Sequence, residues 1–162
     1  MYRWVVAGGL IEREGALLLV RNHRRDGRVD WTPPGGVIDD GEGLLAGLQR
    51  EVREETGLDV SEWSGPAYCV EAEAPDMAWR LRVEVHLAGS VDGALVIDDP
   101  DGIVEAATFV PYAEVEERLT TSPRWVVEPL VDWLRDRPAE PRTFSYEVRG
   151  TPGEGLAVER RA

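Results

Sequence analysis

Residues 36–58, GVIDDGEGLLAGLQREVREETGL, constrain this chain most, because charged and apolar side chains there compete for one side of a single helix. Residues 43–56 have helical spacing, and Gly57 stands where a helix ends on a left-handed residue. At about 100° per residue, with Glu51 set at zero, Glu55 lies near 40° and Glu54 near -60°. Leu44, Leu48, Val52 and Leu45 fall at roughly 20°, 60°, 100° and 120° on the same wheel. The acidic arc therefore overlaps the edge of the apolar stripe, whereas a solvated charged face would lie opposite it. Carboxylates at i, i+3 and i+4 repel one another by a few tenths of a kcal/mol per pair. Something positive must sit among them. In a plain amphipathic helix Arg50 and Arg53 would serve. The other solution is a divalent cation such as Mg²⁺, which takes oxygen ligands and keeps waters and substrate phosphates in its shell.

The rest of the chain predicts one mixed α/β domain spanning residues 1–162. Residues 4–10 and 16–21 read as two strands of a hairpin, followed by a polar loop, 22–30. Pro33, Pro34, Gly35 and Gly36 in succession predict a rigid turn without regular structure. Trp79, Leu81, Val83, Val85 and Leu87 alternate with Arg80, Arg82, Glu84 and His86, the clearest strand pattern present, and residues 67–73 are its expected antiparallel partner. Residues 103–110 predict a further strand and 112–119 a short helix. A second helix is expected after Pro123, with Pro129 kinking it or marking a later start. Residues 143–148 and 156–160 read as a closing hairpin.

Charge and cysteine content exclude several classes. The net charge of -13 argues against a broad nucleic-acid or anionic-membrane surface. The longest apolar run, residues 16–20, is far short of the about 20 residues that cross a bilayer. One cysteine, Cys69, rules out an internal disulfide and a multi-cysteine zinc site. With no signal-peptide pattern at the start, a cytoplasmic location is expected.

The 36–58 segment resembles the Nudix box, G-x5-E-x7-R-E-U-x-E-E-x-G-U with U aliphatic, at every specified position: Gly36, Glu42, Arg50, Glu51, Val52, Glu54, Glu55, Gly57 and Leu58. Pro34-Gly35 and Trp31 also look like the usual approach to it. The resemblance implies an α/β/α sandwich around a mixed β-sheet, with the box as a loop-helix-loop. It implies hydrolysis, with Mg²⁺ or Mn²⁺, of a nucleoside diphosphate linked to another group, a small-molecule substrate. It makes Glu51, Glu54 and Glu55 metal ligands, with Glu51 and Glu54 also acting in catalysis. Arg50 is expected to orient a glutamate, while Gly36, Glu42 and Gly57 support the motif. Many members pair as homodimers, although no segment here announces an interface.

Outside the box, Glu105 is a candidate for a further metal ligand, in competition with Asp98, Asp99 and Asp101. Arg21, Arg24, Arg25 and Arg28 form the densest basic stretch and are candidates for phosphate contacts, against a solvated loop balanced by Asp26 and Asp30. Trp4, Trp79, Trp125 and Trp133 are expected in the core, leaving Trp31 and Trp63 as candidates for stacking on a nucleobase. His86 is expected on a polar strand face. Two rival functions use the same fold: a nucleotide-sensing module without catalysis, and an isoprenoid-diphosphate isomerase, which would need Cys69 near the pocket.

Overall fold

The protein is described by a computed structural model covering residues 1–161. Its main sheet has six strands in the order β12-β11-β7-β8-β1-β5: β1 (Tyr2–Leu10), β5 (Gly35–Val37), β7 (Trp63–Ala74), β8 (Trp79–Ala88), β11 (Arg142–Thr151) and β12 (Gly155–Arg161). The sheet is mixed. β1 runs parallel to β8 and β11 parallel to β7, while β7–β8, β1–β5 and β11–β12 are antiparallel. A second sheet is built on β3 (Ala16–His23), which pairs with β2 (Glu12–Arg13), β4 (Val29–Thr32) and β10 (Val104–Pro111). A two-stranded ribbon joins β6 (Asp59–Val60) to β9 (Val91–Asp92).

Three helices flank these strands: α1 (Leu44–Thr56), α2 (Tyr112–Arg118) and α3 (Arg124–Asp136). β3 shows why they form separate layers. Leu17 and Leu19 enter a core with Val115, Leu119, Leu130 and Trp133 of the α2–α3 side. Leu18, pointing the other way, packs with Leu48 and Val52 of α1. A strand buried on both faces reads as an uninterrupted apolar run, as residues 16–20 do. The molecule is an α/β/α sandwich.

Several expectations need correction. β1 and β3 do not form a hairpin with each other: β1 enters the main sheet beside β8, and the tight turn at Glu14-Gly15 joins β2 to β3. The loop expected at 22–30 is shorter, because β3 continues to His23 and β4 begins at Val29. The proline-glycine segment is not irregular throughout. Gly35 and Gly36 lie in β5, opposite Gly8 and Ala7. Gly35 has φ +155°, and a Cβ there would stand 2.0 Å from the Ala7 carbonyl oxygen. α3 starts at Arg124 and runs through Pro129, losing only the bond that residue 129 would have donated to the Trp125 carbonyl. Leu45 is 41% exposed, whereas Leu44 beside it packs against the core on the α1 side.

The tryptophans also depart from expectation. Only Trp133, of the four expected in the core, is buried; Trp79 and Trp125 are half-buried and Trp4 is 42% exposed. His86 does sit on the charged face of β8, yet it is buried there, 3.3 Å from the Glu84 carboxylate.

Candidate active site

α1 is anchored at both ends by the residues that make the 36–58 segment distinctive. At its start Arg50 grips Glu42 through two hydrogen bonds, Nε to Oε2 at 2.8 Å and Nη2 to Oε1 at 3.0 Å, and Glu42 also accepts the Asp39 N–H. The guanidinium beside it holds the Glu42 carboxyl down at about 2. At its end Gly57 takes φ +79° and donates to the Arg53 carbonyl. The Thr56 and Glu54 carbonyls accept N–H groups from Val96 and Asp98, which ties an acidic loop to the helix end.

Between these anchors two of the three glutamates turn inward. Glu51 and Glu55 are each 7% exposed, whereas Glu54 is half-buried. Gly36 makes room for Glu51: a Cβ at residue 36 would stand 2.6 Å from the Glu51 carboxyl carbon. Glu51 accepts one hydrogen bond from Arg50 Nη1 at 3.0 Å, and the same nitrogen lies 3.5 Å from Glu54. Glu55 accepts the Gly35 N–H at 3.1 Å. Burial pushes the Glu51 carboxyl up to about 7, against the pull of Arg50. Burial pushes Glu55 up to about 9; the Gly35 N–H opposes this, and the nearby Glu51 and Asp99 charges add to it.

Glu51 and Glu55 form part of the wall of a cavity of about 590 Å³. Arg24, Arg50, Asp39, Asp99 and Asp101 complete its charged end, and Val6, Val70, Leu81, Val83, Val85 and Trp125 give it an apolar end. Glu54 is not in this wall. Among the described residues, no three carboxylates or imidazoles stand close enough to close around a cation. Arg50 lies between Glu51 and Glu54 instead.

Of the four arginines singled out from the sequence, only Arg24 lines the cavity. It is fixed there by Asp30, which is 3% exposed, through Nε at 3.0 Å and Nη2 at 2.9 Å. Asn22 donates Nδ2 to both Asp30 and Thr32, completing a buried polar support. Arg28 pairs with Asp26 at the hairpin tip, and Arg25 is exposed outside the cavity wall. Arg21 pairs with Glu105, which also faces His23. Glu105 is absent from the cavity wall, which Asp99 and Asp101 line. Asp99 accepts three N–H groups of its own loop, from Asp101, Ile103 and Val104, so its carboxylate is already engaged.

Neither Trp31 nor Trp63 reaches the cavity. Trp31 lies beneath the Arg118 guanidinium, and Trp63 packs over Gly9 on the α1 side. Trp125, at the start of α3, is the tryptophan in the wall. Its apolar position on a helix marks it for the core, and no feature of the sequence marks it for a site.

A model of the NUDIX domain matches residues 1–133. The chain belongs to the Nudix family. Its fold is shared with the MutT Nudix hydrolase of Burkholderia pseudomallei, with TM-score 0.66, 25% identity, and 79% of this chain and 98% of that one covered. The MutT protein of Methanosarcina mazei superposes with TM-score 0.70 at 23% identity, covering 84% and 96%. Among curated relatives, Nudix hydrolase 5 of Arabidopsis thaliana is 25% identical over 117 residues, 70% of this chain and 37% of its own length. The human 8-oxo-dGDP phosphatase is 36% identical over 55 residues, 34% of this chain and 17% of its own. This chain thus spans little more than a third of such relatives at most. The Nudix domain model ends inside α3, and β11–β12 lie beyond it, continuing the same sheet.

Proposed function

We propose that this Nudix domain hydrolyses the diphosphate linkage of a nucleoside diphosphate derivative, with Mg²⁺ or Mn²⁺ as cofactor. The cavity carries this reading: ionisable and cationic groups meet at one end, beside an apolar trough suited to a sugar and base. The donor set fits a hard cation. Glu51 and Glu55 are buried carboxylates whose protons are held by burial, and Glu55 has no closer partner than one backbone N–H. We assign Glu51, Glu55 and, after release from Arg50, Glu54 to hold it, with Asp101 of the cavity wall as acidic support outside the helix. When bound, the cation would neutralise the diphosphate and acidify a water.

The chain's own residues do the rest. Arg24, braced by Asp30, lines the same cavity as Glu55, and we assign it to bind phosphate oxygens without having to be ordered first. Arg50 stays on Glu42 and keeps Glu51 aimed past Gly36 into the cavity. A carboxylate of α1, Glu51 or Glu54, takes the proton of the attacking water. Arg24→Ala should raise KM about tenfold with a smaller effect on kcat, measured on whichever substrate is turned over. Arg25→Ala should leave both unchanged.

The isomerase reading is disfavoured by Cys69. Tyr68 and Val70 line the cavity, so the alternation of β7 turns Cys69 to the opposite face, where burial raises its thiol pKa. Among the described residues no helix is long and apolar enough to cross a membrane. The test is a hydrolysis panel of ADP-ribose, dinucleoside polyphosphates, nucleotide sugars and normal or oxidised nucleoside triphosphates, each with a Glu51→Gln control. Turnover of one class that disappears in the control is expected. Binding of a nucleotide without turnover would replace this reading by the sensing module.

A further inference from the structure

The apolar end of the cavity does not stop at its wall. On β1, Tyr2, Trp4, Val6 and Gly8 share one face, and the parallel register sets Tyr2 beside Trp79 and Trp4 beside Leu81. Tyr2 and Trp4 stack with ring centres 6.3 Å apart and planes 12° apart. Trp4 meets Trp79 at 6.1 Å, and Trp79 meets Trp125 of the cavity wall at 6.2 Å. Four aromatic rings therefore climb from the cavity onto open surface, where Tyr2 is 74% and Trp4 42% exposed. Contiguous exposed aromatics joined to a pocket mark a binding surface.

Register sets how far this ramp lies from the charged end. Gly8 is opposite Gly35, whose N–H holds Glu55, and Ala7 is opposite Gly36, which cradles Glu51. Trp4 is four residues from Gly8 and Tyr2 six, about 13 Å and 20 Å along the strand. Val6, Val83 and Trp125 line the nearer wall, where a base attached directly to the reacting phosphates would lie. Only a second planar group, carried at the far end of a longer phosphate chain, reaches the ramp.

Resting on the function proposed above, we infer that Tyr2, Trp4 and Trp79 form a stacking subsite for a second nucleobase, and that the substrate class is two nucleosides joined through a polyphosphate. Bases stack on aromatic faces with little sequence preference, so the identity of the second base matters little. Asp76, three residues before Trp79, accepts the Gly150 N–H and faces Arg149.

The experiment is calorimetric binding, with Mg²⁺, of a methylene-bridged two-base polyphosphate and of a one-base nucleotide with the same number of phosphates. Because neither ligand is cleaved, the result does not depend on turnover. Trp4→Leu keeps an apolar strand residue while removing the ring face, and Tyr2→Ala changes a side chain that is mostly in solvent; melting curves establish that each variant folds. The expected result is two-base affinity at least tenfold above one-base affinity, reduced about tenfold by Trp4→Leu and restored by Trp4→Phe, with one-base affinity unchanged. Equal loss for both ligands, or no loss for either, overturns the ramp. A change of oligomeric state in Trp4→Leu without a change in two-base affinity also overturns it, and assigns the surface to a second copy of the chain. Hydrolysis of the ordinary substrates, followed separately in the wild type, distinguishes failure of the ramp from failure of the hydrolase reading.

Discussion

Glu55→Gln should make the cation-free protein more stable at pH 8 and nearly inactive. Glu55 is 7% exposed, with one backbone N–H for a partner, and its carboxyl is pushed up to about 9 from an ordinary 4.5. The folded state thus holds a proton that the unfolded chain releases between those two values. In that window the native state binds more protons, so stability falls as pH rises. It is fully present below about 4.5 and lost progressively toward 9. Glu51, pushed up to about 7, adds to the same slope at its lower end. Glutamine keeps the acceptor for Gly35 and removes the charge. The expected gain at pH 8 is about 2 kcal/mol, in the range of a relieved functional residue. That is roughly 4–8 °C in Tm for a domain of this size. Turnover should fall at least about 100-fold, on the scale of losing one well-placed electrostatic group. Mg²⁺ should raise the wild-type Tm more at pH 8 than at pH 5.5, since it binds the ionised carboxylates, and should do little for Glu55→Gln. Melting curves with and without cation at both pH values check all of this.

Gly35→Ala should unfold the approach to the site. The added Cβ would stand 2.0 Å from the Ala7 oxygen and 2.8 Å from the Gly8 Cα, both backbone atoms of the neighbouring strand, and φ is +155°. Neither neighbour can swing aside as a side chain would, so β5 must separate from β1. About 3 kcal/mol or more is expected, the range for severe overpacking combined with backbone strain. A Tm drop of roughly 6–12 °C follows. Losing β5 also removes the N–H that Glu55 accepts, so residual folded protein should be poorly active. Gly153→Ala is the control: nothing lies within 4 Å of its would-be Cβ, and less than about 0.5 kcal/mol is expected.

What the sequence revealed followed the range of the forces involved. α1 was expected at 43–56 and forms at Leu44–Thr56, because its caps and spacing are local. β8 and its antiparallel pairing with β7 were legible from strict alternation. The partner of β1 was not, since residues 4–10 carry no mark that distinguishes β3 from β8 as a neighbour 77 residues away. β5 was hidden for another reason: proline and glycine signal a turn, and only the close approach of Ala7 shows that glycine here serves strand pairing.

The charged end of the site was legible to a different degree. Helical angles set the three glutamates along the edge of the apolar stripe, and the fold turns Glu51 and Glu55 inward while leaving Glu54 half-buried. Nothing local could tell Arg24 from Arg25 or Arg28, because the choice depends on Asp30 being buried beneath it. Likewise Glu105 was separated from Asp101 only by its pairing with Arg21 across β3 and β10. The tryptophans were misjudged because an apolar face of a strand predicts cover, whereas this face is partly open where it leaves the cavity.

The central claim is that water, assisted by the α1 carboxylates and a divalent cation, attacks a phosphorus of the diphosphate. Hydrolysis in oxygen-18 water, with mass analysis of both products, tests it most directly. The account predicts one labelled phosphate product, and loss of all turnover on chelation or in Glu51→Gln. Label on a carbon of the departing group and not on phosphate, or undiminished turnover in Glu51→Gln, would contradict it.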